Sequence, residues 1–186
     1  IEEEAEVNGN VGLNAIRGGT IIGENSGIIT DEMMGCADGD NSTAKMTNKR
    51  GGEVGVLDGF SLGEDATMTI INENGGTAGK LLANALVGGK TEAKNDGDVI
   101  GDMSGWSKGE GSSLTITNNG NSGMMSAESY LKGQATATNN GLADGGMGGY
   151  AEDGRVKLNN NGEVEGNMAV GAGNHGYAGI RNGQDG

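Results

Sequence analysis

A glycine returns at nearly the same interval along this chain, and that interval decides what the chain can fold into. Gly12, Gly35, Gly55, Gly79, Gly101, Gly123, Gly145, Gly166 and Gly186 stand 20 to 24 residues apart, averaging about 22. A second series, Gly75, Gly97, Gly120, Gly141, Gly162 and Gly183, keeps intervals of 21 to 23, each glycine following Asn or Asp. With 40 glycines in 186 residues some coincidences arise by chance, so flanking columns must agree as well. They do. Two residues after the first series stand Leu57, Leu81, Met103, Met125, Met147 and Met168, with Asn14 and Ala37 as early exceptions. Five residues after it stand Phe60, Trp106 and Tyr150.

Self-similarity at such a period is the mark of a solenoid, because no unit of this size buries its own apolar face and neighbours must stack. Each unit reads as a short apolar or Thr-rich strand, an Asn-Gly turn, a Met-bearing strand and a third, looser segment. Helices fail on propensity, since Gly costs about 1 kcal/mol per helical position and several fall in every unit. A hairpin meander uses Asn-Gly turns too, but it would not hold one residue type at one column through nine units. Parallel stacking does. The expected fold is all-β, a parallel β-helix of about 8–9 coils of ~22 residues, right-handed, on the order of 40 Å long at the spacing of paired strands. Left-handed forms favour hexapeptide periods, which these intervals do not fit. An acidic N-terminal segment, residues 1–6, precedes a single solenoid domain, residues 7–186.

Composition fits the same picture. Leu, Ile, Val and Phe make 31 of 186 residues, a thin supply for a core and one that disordered chains share. Disordered low-complexity chains, however, are usually rich in Pro, and this chain has none. Pro lacks the N–H that a strand ladder needs, so paired strands exclude it. Gly then serves turns that need positive φ. Met, with its flexible thioether, fills the irregular gaps of a thin interior. The Phe60, Trp106 and Tyr150 column is expected to stack in the core or at a corner rather than to form a sugar-binding platform.

Several function classes are disfavoured. A net charge of −14 opposes a nucleic-acid partner, because phosphate binding needs a basic surface. No apolar run is long enough for a spanning helix. Cys36 is the one cysteine, so no disulfide closes within the chain. Asp38-Gly39-Asp40-Asn41 alternates oxygen ligands but lacks the following Gly and distal Glu of a calcium loop. Gly145-Gly146-Met147-Gly148-Gly149 lacks the Asp of calcium-binding β-rolls. This leaves room for weak calcium binding between surface carboxylates and no other cofactor. Gly89-Lys90-Thr91 does not complete a phosphate loop. Thr67-Met68-Thr69, Thr115-Ile116-Thr117 and Thr136-Ala137-Thr138 suggest a Thr rank like that of ice-binding solenoids, but Thr91-Glu92-Ala93 and Val156-Lys157-Leu158 break it. His175 reads as a corner residue. With no loop long enough to build a cleft, no enzyme is expected, and no catalytic, cofactor-binding or metal residue is assigned.

The units Thr117-Asn118-Asn119-Gly120-Asn121-Ser122-Gly123-Met124 and Asn160-Asn161-Gly162-Glu163-Val164-Glu165-Gly166-Asn167-Met168-Ala169-Val170 resemble the Asn-Asn-Gly-x-x-x-Gly repeats of secreted adhesins. Those are autotransporter passenger domains and filamentous-haemagglutinin-like proteins, and the resemblance implies a right-handed parallel β-helix on a cell surface. A short, acidic solenoid also looks like a subunit of amyloid-like extracellular sheaths or fibres. The sequence ends in register with its own repeat and starts without Met, as a processed or excised form would. The expected function is an extracellular structural protein that self-assembles by β-strand stacking into a fibre, sheath or surface layer, with itself as partner. The alternative is an adhesin passenger or stalk segment that binds glycan or a host or matrix protein.

Overall fold

A computed structural model describes residues 1–2 and 4–183. The glycine column's last member, Gly186, lies outside the described residues. The chain winds into eight coils, all strand pairings are parallel, and each residue meets a partner 21 to 25 positions away. Among the described residues there is no helix. The parallel β-solenoid expected from the repeat is therefore the fold.

Each coil contributes to two stacks. One is a sheet of eight six-residue strands: Thr20–Asn25, Thr43–Asn48, Thr67–Asn72, Lys90–Asn95, Ser113–Asn118, Gln134–Asn139, Arg155–Asn160 and Tyr177–Asn182. We call it the asparagine sheet, after its last column. The other is a broad sheet whose long strands include Val11–Ile16, Met103–Lys108, Met125–Tyr130, Met147–Glu152 and Met168–Gly173. Two-residue strands such as Asp98–Val99 and Asn121–Ser122 stack beside the long ones and supply the third, looser segment of each unit. In three early coils the short and long pieces run on as one strand, Ile28–Asp38, Glu53–Leu62 and Thr77–Leu86.

Because strand side chains alternate between faces, every second column points inward. The innermost column of the broad sheet reads Val11, Met33, Leu57, Leu81, Met103, Met125, Met147 and Met168. Asn14 and Ala37 therefore do not belong to it. A bulge between Ile29 and Glu32 adds one residue to the second coil, and Gly35 belongs to a different column from Gly55, since it stacks on Gly59. The next inward column is small, with Gly35, Gly59, Ala83, Gly105, Ala127 and Gly149. Large residues of the asparagine sheet fill the space it leaves. A Cβ on Gly59 would lie 2.7 Å from Ile70 Cδ1, so the two sheets interdigitate as large against small.

The last inward column of the asparagine sheet is the same residue in every coil: Asn25, Asn48, Asn72, Asn95, Asn118, Asn139, Asn160 and Asn182. Each Nδ2 donates to the Oδ1 of the next Asn, at 2.8 to 3.0 Å, from Asn25 through to Asn182. Asn95 also donates to the carbonyls of Gly97 and Asn121 and accepts from the Gly97 N–H. The amide thus closes its own turn and ties three coils together. A shorter exposed ladder runs the other way, with Asn161 donating to Asn140, Asn140 to Asn119, and Asn119 to Asp96.

Gly75 has the positive φ expected of a turn glycine, +82°, but later members of its series have a different reason. Gly97, Gly120, Gly141 and Gly162 are absent from the positive-φ positions. A Cβ on Gly120 would instead collide with the Gly97 carbonyl oxygen of the coil before. Close approach of stacked backbones, not left-handed φ, excludes a side chain there. Positive φ is concentrated at the corner between the broad and asparagine sheets, at Arg17, Gly18, Gly39, Val87, Gly88, Gly109, Leu131 and Asp153 among others.

Asn95→Ala removes the donor and acceptor of a fully buried rung and leaves its partners unsatisfied. The expected loss is on the order of 3 kcal/mol, read by urea unfolding. Asn140→Ala, in the exposed ladder, is expected to cost less than about 0.5 kcal/mol.

Candidate functional site

With the inward columns committed to packing, the broad sheet's chemistry lies on its outer face. Three columns point outward there. The first reads Asp58, Leu82, Ser104, Ser126, Gly148 and Ala169, and the second Asn14, Cys36, Phe60, Asn84, Trp106, Glu128, Tyr150 and Gly171. The third runs Leu62, Leu86, Lys108, Tyr130, Glu152 and Gly173.

Phe60, Trp106 and Tyr150 do share a column, but it is not in the core. Each stands three residues after an inward Leu or Met, and an odd offset along a strand reaches the opposite face. The aromatics occupy alternate coils, and Asn84 and Glu128 fill the coils between them. Phe60 and Trp106 are half-buried, and Tyr150 is 37% exposed.

An open groove of about 750 Å³ follows the third column, lined by Trp106, Glu128, Tyr130, Glu152, Asn174 and His175 among others. A smaller one of about 300 Å³ lies on the other side of Trp106, over Ser104, Ser126 and Asn84. Trp106 and Glu128 line both grooves and form a ridge between them. Tyr130 and Tyr150 pack with ring centroids 6.3 Å apart and planes inclined by 51°. The Tyr130 hydroxyl donates to Glu128 Oε2 at 2.6 Å, and Asn174 Nδ2 donates to Glu152 Oε1 at 2.8 Å. These bonds fix both carboxylates. Tyr150 lies beside a bare rung: a Cβ on Gly171 would sit 3.2 Å from its ring, and one on Gly173 2.5 Å from its hydroxyl. Nothing lies within 4 Å of a Cβ placed on Gly148, so the floor next to the ridge is flat.

The carboxylate of Glu128 holds the Tyr130 hydroxyl in its protonated form, and burial adds to this, so its pKa is pushed up to about 12. Farther along the face, burial and then the Glu32 carboxylate raise the pKa of Asp58, and one of its oxygens is buried without a hydrogen bond. Cys36 is half-buried in the aromatic column; burial and then Asp38 push its thiol up to about 11.

The other motifs fall in structural roles. Asp40 Oδ1 accepts from the Glu64 N–H at 2.9 Å, and Gly39 and Asn41 have φ of +89° and +60°, so Asp38-Gly39-Asp40-Asn41 is a corner. Among the described residues no group of three or more His, Cys, Asp or Glu side chains gathers as a metal site would. Lys90 pairs with Asp65 at 2.6 Å, while the buried Thr91 hydroxyl donates to the Asn84 carbonyl. In the Thr rank, Thr69, Thr115 and Thr136 share a column with Glu92 and Lys157, and the charges interrupt it. His175 occupies an exposed corner at the edge of the larger groove.

The fold is a β-solenoid built on a repeated Asn. Compared with known proteins, the chain matches no family model, no curated protein and no solved structure.

Tyr130 is expected to ionise near 12, later than the ordinary tyrosine value of about 10. Because the folded value is the higher, this contribution to stability is present below about pH 10 and is lost as pH rises toward 12. Glu128→Gln should bring the titration back toward 10, followed by tyrosinate absorbance.

Proposed function

We propose that this protein is an extracellular structural scaffold whose coils stack end to end with those of further copies. The observation that supports this reading is that successive coils pair in one parallel register and carry the same Asn rung, so that one coil is a template for another. Ile180 stands in an inward column whose mates Leu158, Ala137 and Ile116 are buried, yet it is 42% exposed. At the other end Val11, Leu13 and Ile21 are only partly covered. The inward columns run through these first and last described coils as well, and a further coil in the same register would cover them.

The ladder gives such stacking a polarity. Every rung of the buried ladder donates toward the C-terminal coil, so Asn182 Nδ2 of one copy would meet Asn25 Oδ1 of the next, head to tail. Acidic flanks oppose sideways association at low ionic strength, and salt relieves that repulsion. An extracellular or cell-surface location follows from the likeness of the Asn-Asn-Gly units to secreted repeats.

A second reading, a stalk that presents a face to glycan or protein, is favoured by the outward position of the Phe60, Trp106 and Tyr150 column.

Sedimentation velocity over a range of concentrations tests the first reading. Species that lengthen with concentration are expected, and Ile180→Lys should return them to monomers by placing a charge on the open core. A monomer at every concentration and salt would contradict end-to-end stacking.

A further inference from the structure

The outward column that runs through the Trp106–Glu128 ridge has a feature that a merely solvated sheet face does not need, which is a regular alternation of two chemistries along the solenoid axis. Phe60, Asn84, Trp106, Glu128 and Tyr150 follow one another on successive coils, aromatic and polar by turns. Coils are about 4.8 Å apart, so the backbone positions of the aromatics recur at about 9.6 Å and the column spans about 19 Å, with the Tyr150 ring leaning onward over the next coil. A ligand matched to this array is itself extended and repetitive, presenting an apolar patch at every second unit and hydrogen-bonding groups between.

We propose that this face binds an uncharged, extended polysaccharide lying along the solenoid axis. The proposal rests on the stalk reading and is independent of stacking at the end coils. An extended 1,4-linked chain of pyranose rings repeats every two sugars at a similar length. The C–H face of alternate rings lies on Phe60, Trp106 and Tyr150, where an aromatic surface takes up apolar contact and excludes water. Glu128, fixed by the Tyr130 hydroxyl, accepts from hydroxyls of the ring between Trp106 and Tyr150. Asn84, whose Oδ1 accepts from the Trp106 backbone N–H at 3.3 Å, offers its amide donor to the ring on the other side.

The surroundings fit the same occupant. Ser104, Ser126 and Gly148 make a flat floor beside the ridge, and a Cβ on Gly148 would meet nothing within 4 Å. Gly171 and Gly173 leave room for the Tyr150 ring to lie over the next coil. Charge selects among polysaccharides. Glu128, Glu152 and Asp153 outnumber Lys108 along the larger groove, on a chain of net charge −14, so uronate or sulfated chains are repelled.

Trp106 is the one tryptophan of the chain, so its emission reports this site directly. The test titrates the full chain with the β-1,4-linked hexamers of glucose and of N-acetylglucosamine, the corresponding dimers, polygalacturonate and tetramethylammonium, with calorimetry in parallel. A saturable change is expected with at least one hexamer, about tenfold tighter than its dimer because more platforms are engaged. Tyr150→Ala should weaken it about tenfold, whereas Thr115→Ala on the asparagine sheet should leave it unchanged. Far-UV circular dichroism checks that both variants keep the fold. The proposal is overturned if neither hexamer binds by either method, if Tyr150→Ala binds as the parent does, or if polygalacturonate binds as tightly. A response to tetramethylammonium alone would also overturn it, while leaving the ridge a ligand site and the stalk reading intact.

Discussion

The buried asparagine ladder is the interaction on which the rest of this structure depends. A chain so poor in large apolar residues cannot hold its coils in register by hydrophobic burial alone, since Met, Ala and Gly columns tolerate sliding. An Asn side chain does not. Its amide carries donors and an acceptor that must all be met once water is excluded, and only a neighbour one coil away at the same position meets them. Each rung therefore specifies the next, and a slip by one residue would bury an unpaired amide and turn the core columns outward. The ladder also closes the turn in six of the eight coils, because the same amide bonds the carbonyl of the glycine two to four residues on.

Once register is fixed from within, the outer faces are free to vary. The asparagine sheet shows this in mixed Thr, Lys and Glu, with surface pairs such as Lys49–Glu24 and Lys94–Asp96 that contribute little to stability. The broad sheet instead carries an ordered series of aromatics at alternate coils. Parallel in-register stacking converts a residue choice repeated in sequence into a straight row in space. A solenoid thereby builds a linear binding surface without any long loop, and its rigid core holds the row in place.

Much of the fold was legible in the glycine columns because turns recur once per coil whatever the strands contain. The Leu57 to Met168 column followed by fixed offset. Val11 and Met33 did not, because Gly12 and Gly35 stand one and two residues after them rather than two before, and a fixed offset from those glycines points at Asn14 and Ala37. The ladder was equally present in the sequence, as Asn at eight successive positions from Asn25 to Asn182. Reading each Asn as a turn former hid it, since a turn position would accept Asp, Gly or Ser, as the exposed ladder accepts Asp96. The aromatic face was missed for a simpler reason. A column was recognised but its parity was not, and three residues from an inward Met is outward on a strand. The partnership of Tyr130 with Glu128 had no signal at all, because it depends on neighbours two apart on one strand turning toward the same groove.

Side-chain amide hydrogen exchange, followed by nuclear magnetic resonance, tests the ladder most directly. The account predicts that the amide protons of Asn72, Asn95 and Asn118 are protected to the level of the backbone amides of their own strands, while those of Asn119, Asn140 and Asn161 exchange at the rate of a free side chain. Equal and rapid exchange of both groups would contradict it, because coils held in register by buried amides cannot release one of them without opening.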